Sequence, residues 1–177
     1  MNNKEIGTKF EVWAEHLFFD LGYNVKRNIV YYEESKNKEC KQIDLEYFTK
    51  VYGLMAPYLT KTILELKYSS NGNISLNHWN KKSNTNNLIQ EIHERKKLVY
   101  ADYAILVTNQ YVTDKLRKEA RKYRVRVYDR GKLQILDRKR ASLIEKIGLK
   151  KRASLEEQVE SIILSEENLN PTYVKIN

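Results

Sequence analysis

The stretch Thr62-Ile63-Leu64-Glu65-Leu66-Lys67-Tyr68 has the two-residue alternation that is typical of a β-strand. Its leucines and Tyr68 would lie on one face of the strand. Glu65 and Lys67 are two residues apart, so they would project together from the opposite face. The stretch therefore predicts a strand that presents a carboxylate and an ammonium side by side.

A second strand is predicted over residues 40–48, and its Asp44 lies 21 positions before Glu65. Polar and apolar side chains alternate in it, with Gln42, Asp44 and Glu46 polar and Ile43, Leu45 and Tyr47 apolar. We therefore expect Asp44 to point away from the apolar face. If the two strands are neighbours, Asp44, Glu65 and Lys67 converge on one sheet surface.

Two carboxylates beside a lysine suit a hard cation such as Mg²⁺, which takes one or two protein carboxylates and leaves its other positions to water and phosphate oxygens. The chemistry that this set favours is metal-assisted hydrolysis of a phosphodiester. The alternative interpretation is a group of surface ion pairs on an exposed sheet face.

The remaining elements follow from periodicity and turn residues. In chain order we predict helix 4–22, strand 23–32, strand 40–48, strand 62–68, helix 88–100, strand 103–108, helix 113–123 and strand 125–128. Gly22 ends the first helix, and residues 69–87, rich in Ser, Asn and Gly, are expected to form a loop. The order indicates an α/β fold in which three antiparallel strands join a central mixed sheet flanked by helices.

Over residues 5–136 the chain resembles the PD-(D/E)XK nuclease superfamily, and within it the Mrr-like restriction endonucleases. The residues that carry the resemblance are Gly7, Phe10, Glu11, Ala14, Leu17, residues 21–23, Gln42-Ile43-Asp44, Glu65-Leu66-Lys67, Val107-Thr108-Asn109, Ala120, residues 127–129 and Leu133. Ile43 stands where the superfamily name has proline. Glu65 stands where Mrr-like members often have glutamine, which brings the chain nearer to the general superfamily and its Holliday-junction resolvases.

The resemblance implies a restriction-endonuclease-like αβββαβ core and a role for each site residue. Asp44 and Glu65 would bind the divalent metal together with the backbone carbonyl of Leu66, and Lys67 would orient or deprotonate the attacking water. Glu11 would complete the site as a second metal ligand or as an acceptor for a metal-bound water; without the resemblance it is an ordinary solvated helix glutamate. Mg²⁺ is the expected cofactor, and Mn²⁺ is expected to substitute for it.

The composition agrees with a partner that is a polyanion. The chain has 177 residues, with 32 Lys and Arg against 23 Asp and Glu, a net charge of +9. Residues 114–140 hold 12 basic and four acidic residues. The predicted DNA-binding residues are Lys115, Arg117, Lys118, Arg121, Lys122 and Arg124, joined by Lys81 and Lys82 of the loop. The alternative is a helix with an ordinary charged face.

Beyond residue 136 the resemblance ends, so we predict a nuclease domain over 1–136 and an appendage over 137–177. The appendage has a basic segment and then an acidic amphipathic helix over residues 154–164, which would serve dimer contact or self-packing. A homodimer is expected, because double-strand cleavage commonly uses two copies of one site.

Other features narrow the class of protein. The chain has no Gly-rich phosphate loop, so no nucleotide cofactor is expected. His16, His78 and His93 lack zinc-ligand spacing. A single Cys40 and the absence of a long apolar span predict a cytoplasmic protein without membrane contact.

The sequence therefore predicts a Mg²⁺-dependent DNA endonuclease that acts on duplex or branched DNA. The alternatives are a structure-selective nuclease such as a Holliday-junction resolvase, and a DNA-binding protein that kept the fold and lost catalysis. RNA as a substrate stays open, since hydrolysis of this kind does not need the 2′-hydroxyl. No residue indicates a recognition sequence or a dependence on methylation.

Overall fold

One mixed sheet of six strands organises the chain, in the order β5-β4-β3-β2-β1-β6. The computed structural model describes residues 3–33, 38–54, 56–74, 87–145, 154–165 and 170–176. Its elements are α1 (Asn3–Asp20), β1 (Val25–Glu33), β2 (Lys38–Tyr52), β3 (Pro57–Lys67), α2 (Leu88–Leu98), β4 (Tyr103–Thr108), α3 (Asp114–Lys122), β5 (Val125–Tyr128), α4 (Arg130–Glu145), α5 (Leu155–Glu160) and β6 (Thr172–Lys175). The predicted order of the first eight elements and the predicted α/β class are confirmed.

The sheet has an antiparallel half and a parallel half. β1, β2 and β3 form the predicted antiparallel meander. β3, β4 and β5 are parallel to one another, with α2 and α3 in the connections between them. Since the carboxyl ends of parallel strands meet at one edge of a sheet, the chain leaves β3, β4 and β5 on the same side of the molecule, close to Lys67.

The first helix ends as Gly22 predicts. Gly22 has φ +91°, a conformation in which a residue with a Cβ is strained. Its N–H bonds to the carbonyl of Phe19 at 2.8 Å, and the N–H of Tyr23 bonds to the carbonyl of Phe18 at 3.1 Å. This pair of bonds is the Schellman motif. It turns the chain sharply from α1 into β1 and fixes α1 across the sheet.

Helices cover both faces of the sheet, and each face has its own apolar cluster. One face packs against α2 and α3 through residues such as Ile63, Leu106 and Leu116. The other packs against α1, α4 and α5 through residues such as Leu64 and Phe10. A sheet covered on both faces buries its polar strand residues as well. Glu46 is therefore buried, against the expectation that it points away from an apolar face, and it is paired with Lys61 at 3.4 Å.

The chain after β5 differs from the sequence predictions in three ways. Helix α4 was not predicted and runs across residue 136 without a break. The tail helix is shorter than the predicted 154–164: α5 ends at Glu160, and Ile163, which lies beyond it, is 89% exposed. Strand β6 was not predicted either, and it pairs parallel with β1 at the edge of the sheet. The division into units 1–136 and 137–177 stays a prediction.

Within the described residues, every helix is too short or too polar to cross a membrane.

Candidate active site

The site lies where β2 separates from β3. The last pair in the β2–β3 register is Leu45 with Leu64. Ile43 packs in the cluster under α2 and α3, whereas Leu45 packs in the cluster under α1. Strict alternation would put these two side chains on one face, so the prediction of a single apolar face for both is wrong. The strand therefore turns over at Asp44.

The neighbouring strand shares this irregularity. Asn28 of β1 falls opposite Asp44, between the register pairs Arg27–Leu45 and Ile29–Ile43, and it has φ +53°. Asparagine tolerates this left-handed conformation better than most residues. Its side chain accepts a hydrogen bond from Gln42 at 2.8 Å. The two strands thus change face together.

The divergence of the strands gives Asp44 a backbone partner. Leu66 lies two residues past Leu64, so its N–H points toward β2 where β2 no longer pairs. The Asp44 carboxylate accepts this N–H at 2.7 Å, from Oδ2. In a regular strand the N–H and C=O of one residue lie on the same side, so we expect the Leu66 carbonyl to face Asp44 as well. The structure places the predicted Asp44 and Leu66 next to each other.

Glu65 is buried and held by two cations. Lys67 Nζ lies 2.5 Å from Glu65 Oε1, which confirms that these two side chains share one face of β3. The second oxygen, Oε2, pairs with Arg95 Nη1 from α2. The Glu65 side chain is only 6% exposed, so the alternative interpretation of solvent-exposed surface pairs does not fit it. Two ion pairs compensate the cost of burying this carboxylate.

The pKa values show how the charges in the site affect one another. Burial raises the pKa of Asp44 to about 8, and the negative charges of Glu65 and Glu11 contribute in the same direction. For Glu65, burial acts upward on the pKa, but Lys67 and Arg95 outweigh it and hold the pKa below its usual value. For Lys67, burial acts downward on the pKa, and Glu65 and Asp44 outweigh it, so the lysine stays charged. The two carboxyl groups thus differ, since the pKa of Asp44 is raised and that of Glu65 is lowered.

Glu11 reaches the site from α1. Burial raises its pKa, Arg27 and Lys67 oppose that rise, and Glu65 adds to it. Glu11 therefore interacts electrostatically with Glu65, Lys67 and Asp44. Within the described residues, no three Asp, Glu, His or Cys side chains are grouped closely enough to hold a metal ion. Glu11 stands beside the Asp44–Glu65 pair, and its predicted role as a ligand stays a prediction.

The donor set fits Mg²⁺ in number and kind. Mg²⁺ commonly takes one or two protein carboxylates and keeps water or phosphate oxygens elsewhere, and Asp44 with Glu65 provides two. Burial raises the pKa of Asp44, and the positive charge of Lys67 offsets only part of that rise. The Leu66 carbonyl would be a further oxygen donor, as predicted from the resemblance. A bound Mg²⁺ would polarise the scissile phosphate and lower the pKa of the attacking water.

The loop that follows β4 holds the backbone where β3 ends. The family resemblance includes Asn109 of this loop, but no role was predicted for it. Asn109, directly after β4, accepts the N–H of Ser69 at 2.8 Å and donates to the Ser69 carbonyl at 2.8 Å. Gln110 donates to the same carbonyl at 3.0 Å. Ser69 is two residues after Lys67, so these bonds hold the backbone that carries the lysine. Asn109 is only 1% exposed.

The predicted basic helix is α3, and it buries one apolar side, with Leu116 and Ala120, against the sheet. The predicted contacts Lys115, Lys118, Arg121, Lys122 and Arg124 are exposed, and Arg117 is partly exposed and paired with Asp129. Arg117 and Arg121 also line a cleft of about 390 Å³ together with Arg126 and Tyr128. Because α3 follows β4, its first turn lies at the edge of the sheet that holds Lys67.

Some residues lie outside the site or outside the described residues. Lys81 and Lys82, with His78, belong to the undescribed part of the 69–87 loop. Gln90 caps α2 and bonds to Tyr123 at 3.0 Å. Arg95 was missed, although the sequence carries a signal for it. It falls on the apolar stripe of α2 in the series Leu88, Ile92, Arg95 and Val99, and a charged residue on a buried helix face needs a partner.

No protein-family model matches the chain, and no curated protein matches its sequence. Three solved structures resemble it in fold. One is a protein of unknown function, AF1548, with 12% identity and a TM-score of 0.56, over 92% of this chain and 73% of that one. The second is the DNA modification-dependent restriction endonuclease AspBHI, with 15% identity and a TM-score of 0.51, over 86% of this chain and 33% of that one.

The third is the MspJI restriction endonuclease in complex with a 27-mer oligonucleotide, with 14% identity and a TM-score of 0.44, over 88% of this chain and 36% of that one. The chain thus spans about a third of the length of each of the two endonucleases. Likeness at this level of identity concerns the fold. With AspBHI among the neighbours and a mixed six-stranded sheet flanked by helices, the fold of this chain is restriction-endonuclease-like.

Proposed function

We propose that the protein is a Mg²⁺-dependent DNA endonuclease of the PD-(D/E)XK type, similar to the Mrr-like enzymes, in which Mn²⁺ can replace Mg²⁺. The observation that carries the proposal is the convergence of Asp44, Glu65 and Lys67 at the point where β2 leaves β3. The fold of the DNA restriction endonuclease AspBHI supports the substrate class. A protein that only binds DNA has no need of two carboxylates close to phosphate, since without a cation they repel it.

Each side chain has a role that its surroundings favour. Asp44 and Glu65, with the Leu66 carbonyl, would hold the cation. Lys67 stays charged, so it is suited to orient the attacking water and to offset the negative charge that develops on the phosphate. Glu11 would bind through water or serve a second cation.

The macromolecular partners belong to the same proposal. DNA, duplex or branched, would lie across the edge of the sheet that holds Lys67 and the first turn of α3, where basic side chains are exposed. We propose a homodimer that acts in the cytoplasm, with one site cutting each strand. Neither a nucleotide cofactor nor a membrane is part of the proposal.

The first test is cleavage by the purified protein with Mg²⁺, Mn²⁺ or EDTA. The substrates are supercoiled plasmid, linear duplex, single-stranded DNA, a four-way junction and a single-stranded RNA. Asp44→Asn keeps an oxygen for the Leu66 N–H and removes the negative charge, and Lys67→Ala removes the ammonium. The matched controls are Asp102→Asn, an exposed carboxylate that precedes β4, and Lys50→Ala, an exposed lysine near the far end of β2.

We expect cleavage with either metal and none with EDTA. Both site variants should lose activity by about 10²-fold or more, whereas both controls should keep it. The preferred substrate then separates a restriction-like enzyme from a junction resolvase. Salt-sensitive DNA binding without cleavage in the wild type would contradict the proposal and leave a DNA-binding protein with this fold.

A further inference from the structure

Arg95 enters the site from α2. It lies in the last turn of α2, on the buried stripe of that helix, and its side chain is 24% exposed. Its Nη1 forms the ion pair with Glu65 Oε2. Its Nε is buried and has no hydrogen-bond partner among the described residues. An unpaired buried N–H is costly, so this donor is available for an acceptor that the isolated protein does not supply.

Each oxygen of Glu65 forms one ion pair, Oε1 with Lys67 and Oε2 with Arg95. A cation that binds Glu65 requires one of these oxygens. Lys67 comes from the same strand as Glu65 and projects from the same face, so it stays near Glu65 whichever rotamer it adopts. Arg95 reaches Glu65 from α2 through a long flexible side chain, so it is the partner that can be displaced.

A displaced Arg95 has an acceptor of the right shape close by. The guanidinium is planar and carries five N–H donors, and it matches a phosphate with two parallel hydrogen bonds. A phosphodiester bound beside the Asp44–Glu65 pair would present such oxygens next to α2. The unpaired Nε–H and the Nη1–H released from Glu65 would then both be used.

We propose that Arg95 holds the place of the divalent cation on Glu65 in the metal-free protein and moves to the DNA phosphate on metal loading. Before the cation binds, Arg95 neutralises Glu65. After the cation binds, the Arg95 guanidinium contacts the DNA phosphate, so one side chain couples metal binding to DNA binding. This inference rests on the proposed nuclease function and adds a switching residue to it.

The test measures Mn²⁺ binding to the free protein by electron paramagnetic resonance, without DNA. The variants are Arg95→Gln, which removes the competing charge, and Arg95→Lys, which keeps a charge but has no fork of donors. The matched control is Lys97→Gln, which removes one positive charge from the same helix turn; Lys97 is 61% exposed and pairs with Glu94 at 3.2 Å. DNA cleavage is measured on the same samples.

We expect Arg95→Gln to bind Mn²⁺ about tenfold more tightly than the wild type, in line with the loss of one competing ion pair. Its cleavage should nevertheless be slower, because a phosphate contact is lost. Arg95→Lys should keep a Mn²⁺ affinity near that of the wild type and still cleave more slowly. Lys97→Gln should resemble the wild type in both measurements.

Thermal unfolding provides a second measurement if Arg95→Gln is less stable. Mn²⁺ should then raise its unfolding temperature by more than it raises that of the wild type. Equal or weaker Mn²⁺ binding by Arg95→Gln, with a smaller thermal shift, overturns the inference while the nuclease function stands. A wild type that neither binds Mn²⁺ nor cleaves DNA overturns both.

Discussion

At the scale of single residues, the site is organised by one carboxylate in an irregular position. Asp44 lies where β2 and β1 change face, and it accepts the Leu66 N–H that the separating strand leaves without a ladder partner. A backbone N–H inside a protein requires an acceptor, so the geometry of the sheet and the position of the carboxylate depend on each other. Lys67 and Arg95 neutralise Glu65, which lets the protein fold around these carboxylates before a cation is present.

The raised pKa of Asp44 leads to a prediction of how the stability of the protein depends on pH. The folded pKa is about 8 and the ordinary value is 3.8, so between these values the folded state binds a proton that the unfolded state has released. The free energy of unfolding of the metal-free protein should therefore fall as pH rises from about 4 to about 8. Glu11 acts in the same direction, whereas the lowered pKa of Glu65 acts only below its usual 4.5. Urea unfolding in EDTA across this range measures the effect.

The Asp44→Asn variant is the control for that measurement. The amide that replaces the Asp44 carboxyl cannot titrate, so the free energy of unfolding of this variant should change less between pH 5 and pH 8. The difference in unfolding free energy between variant and wild type should therefore shift in favour of the variant as pH rises. Mg²⁺ should stabilise the wild type most at the upper end of the range, since metal binding favours the ionised carboxylate. Parallel pH profiles for the two proteins would contradict a raised pKa at Asp44.

At the scale of elements, the sequence predicts what is periodic and local. The five strands β1 to β5 and the helices α1 to α3 follow alternation, stripes and end residues, and the strand β5 was predicted with its observed bounds. The face change at Asp44 and the pairing of Arg95 with Glu65 depend on contacts between distant parts of the chain. The alternation of polar and apolar residues predicts a regular strand through Asp44, without a change of face. The apolar stripe of α2 shows that Arg95 is on the buried side of the helix, but it does not identify Glu65 as the partner. β6 is four residues long and exists through its pairing with β1.

Helix α3 carries a prediction that belongs to an element. Lys115 and Lys118 are exposed in its first half, and the helix begins at the edge of the sheet where β3 and β4 end. Replacing both by Gln should weaken DNA binding to a similar degree on all sequences, because contacts to phosphates carry no sequence information. The slope of log affinity against log salt should also become shallower by about one unit for each lost contact.

Binding is measured by fluorescence anisotropy at several salt concentrations, with EDTA present so that no cleavage occurs. The matched control is the double variant Lys26→Gln and Lys50→Gln, two exposed lysines on β1 and β2. An unchanged salt slope in the α3 variant would place the DNA elsewhere. If both double variants lose the same amount of DNA affinity, binding responds to the net charge of the protein and not to a contact at α3.

At the scale of the whole molecule, the tail packs on earlier elements of its own chain. Leu155 and Val159 of α5 are buried in the cluster of α1 and α4. Trp13 donates to Gln158 at 3.1 Å, and Arg130 pairs with Glu156 at 2.6 Å. The acidic tail therefore meets basic and apolar groups of its own chain. Self-packing was one of the two roles predicted for the tail, and the homodimer stays a proposal.

The last prediction separates these two roles of the tail. Val159 is 0% exposed, so Val159→Ala removes two buried methylene equivalents and leaves a small cavity, which should lower the free energy of unfolding by about 2 kcal/mol. Ile163 is 89% exposed in the same tail, and Ile163→Ala should change that free energy by less than about 0.5 kcal/mol. Urea unfolding at two protein concentrations measures both variants.

Sedimentation velocity on the same samples completes the test. If α5 stabilises its own domain, Val159→Ala unfolds more easily by the same amount at both concentrations, and its association state is that of the wild type. If the tail acts mainly in a dimer, Val159→Ala loses stability only where the wild type associates, and Ile163→Ala weakens association without changing the monomer. A Val159→Ala variant that loses stability only where the wild type associates would contradict the packing of α5 on its own chain, because Val159 has no exposed surface to offer to a partner.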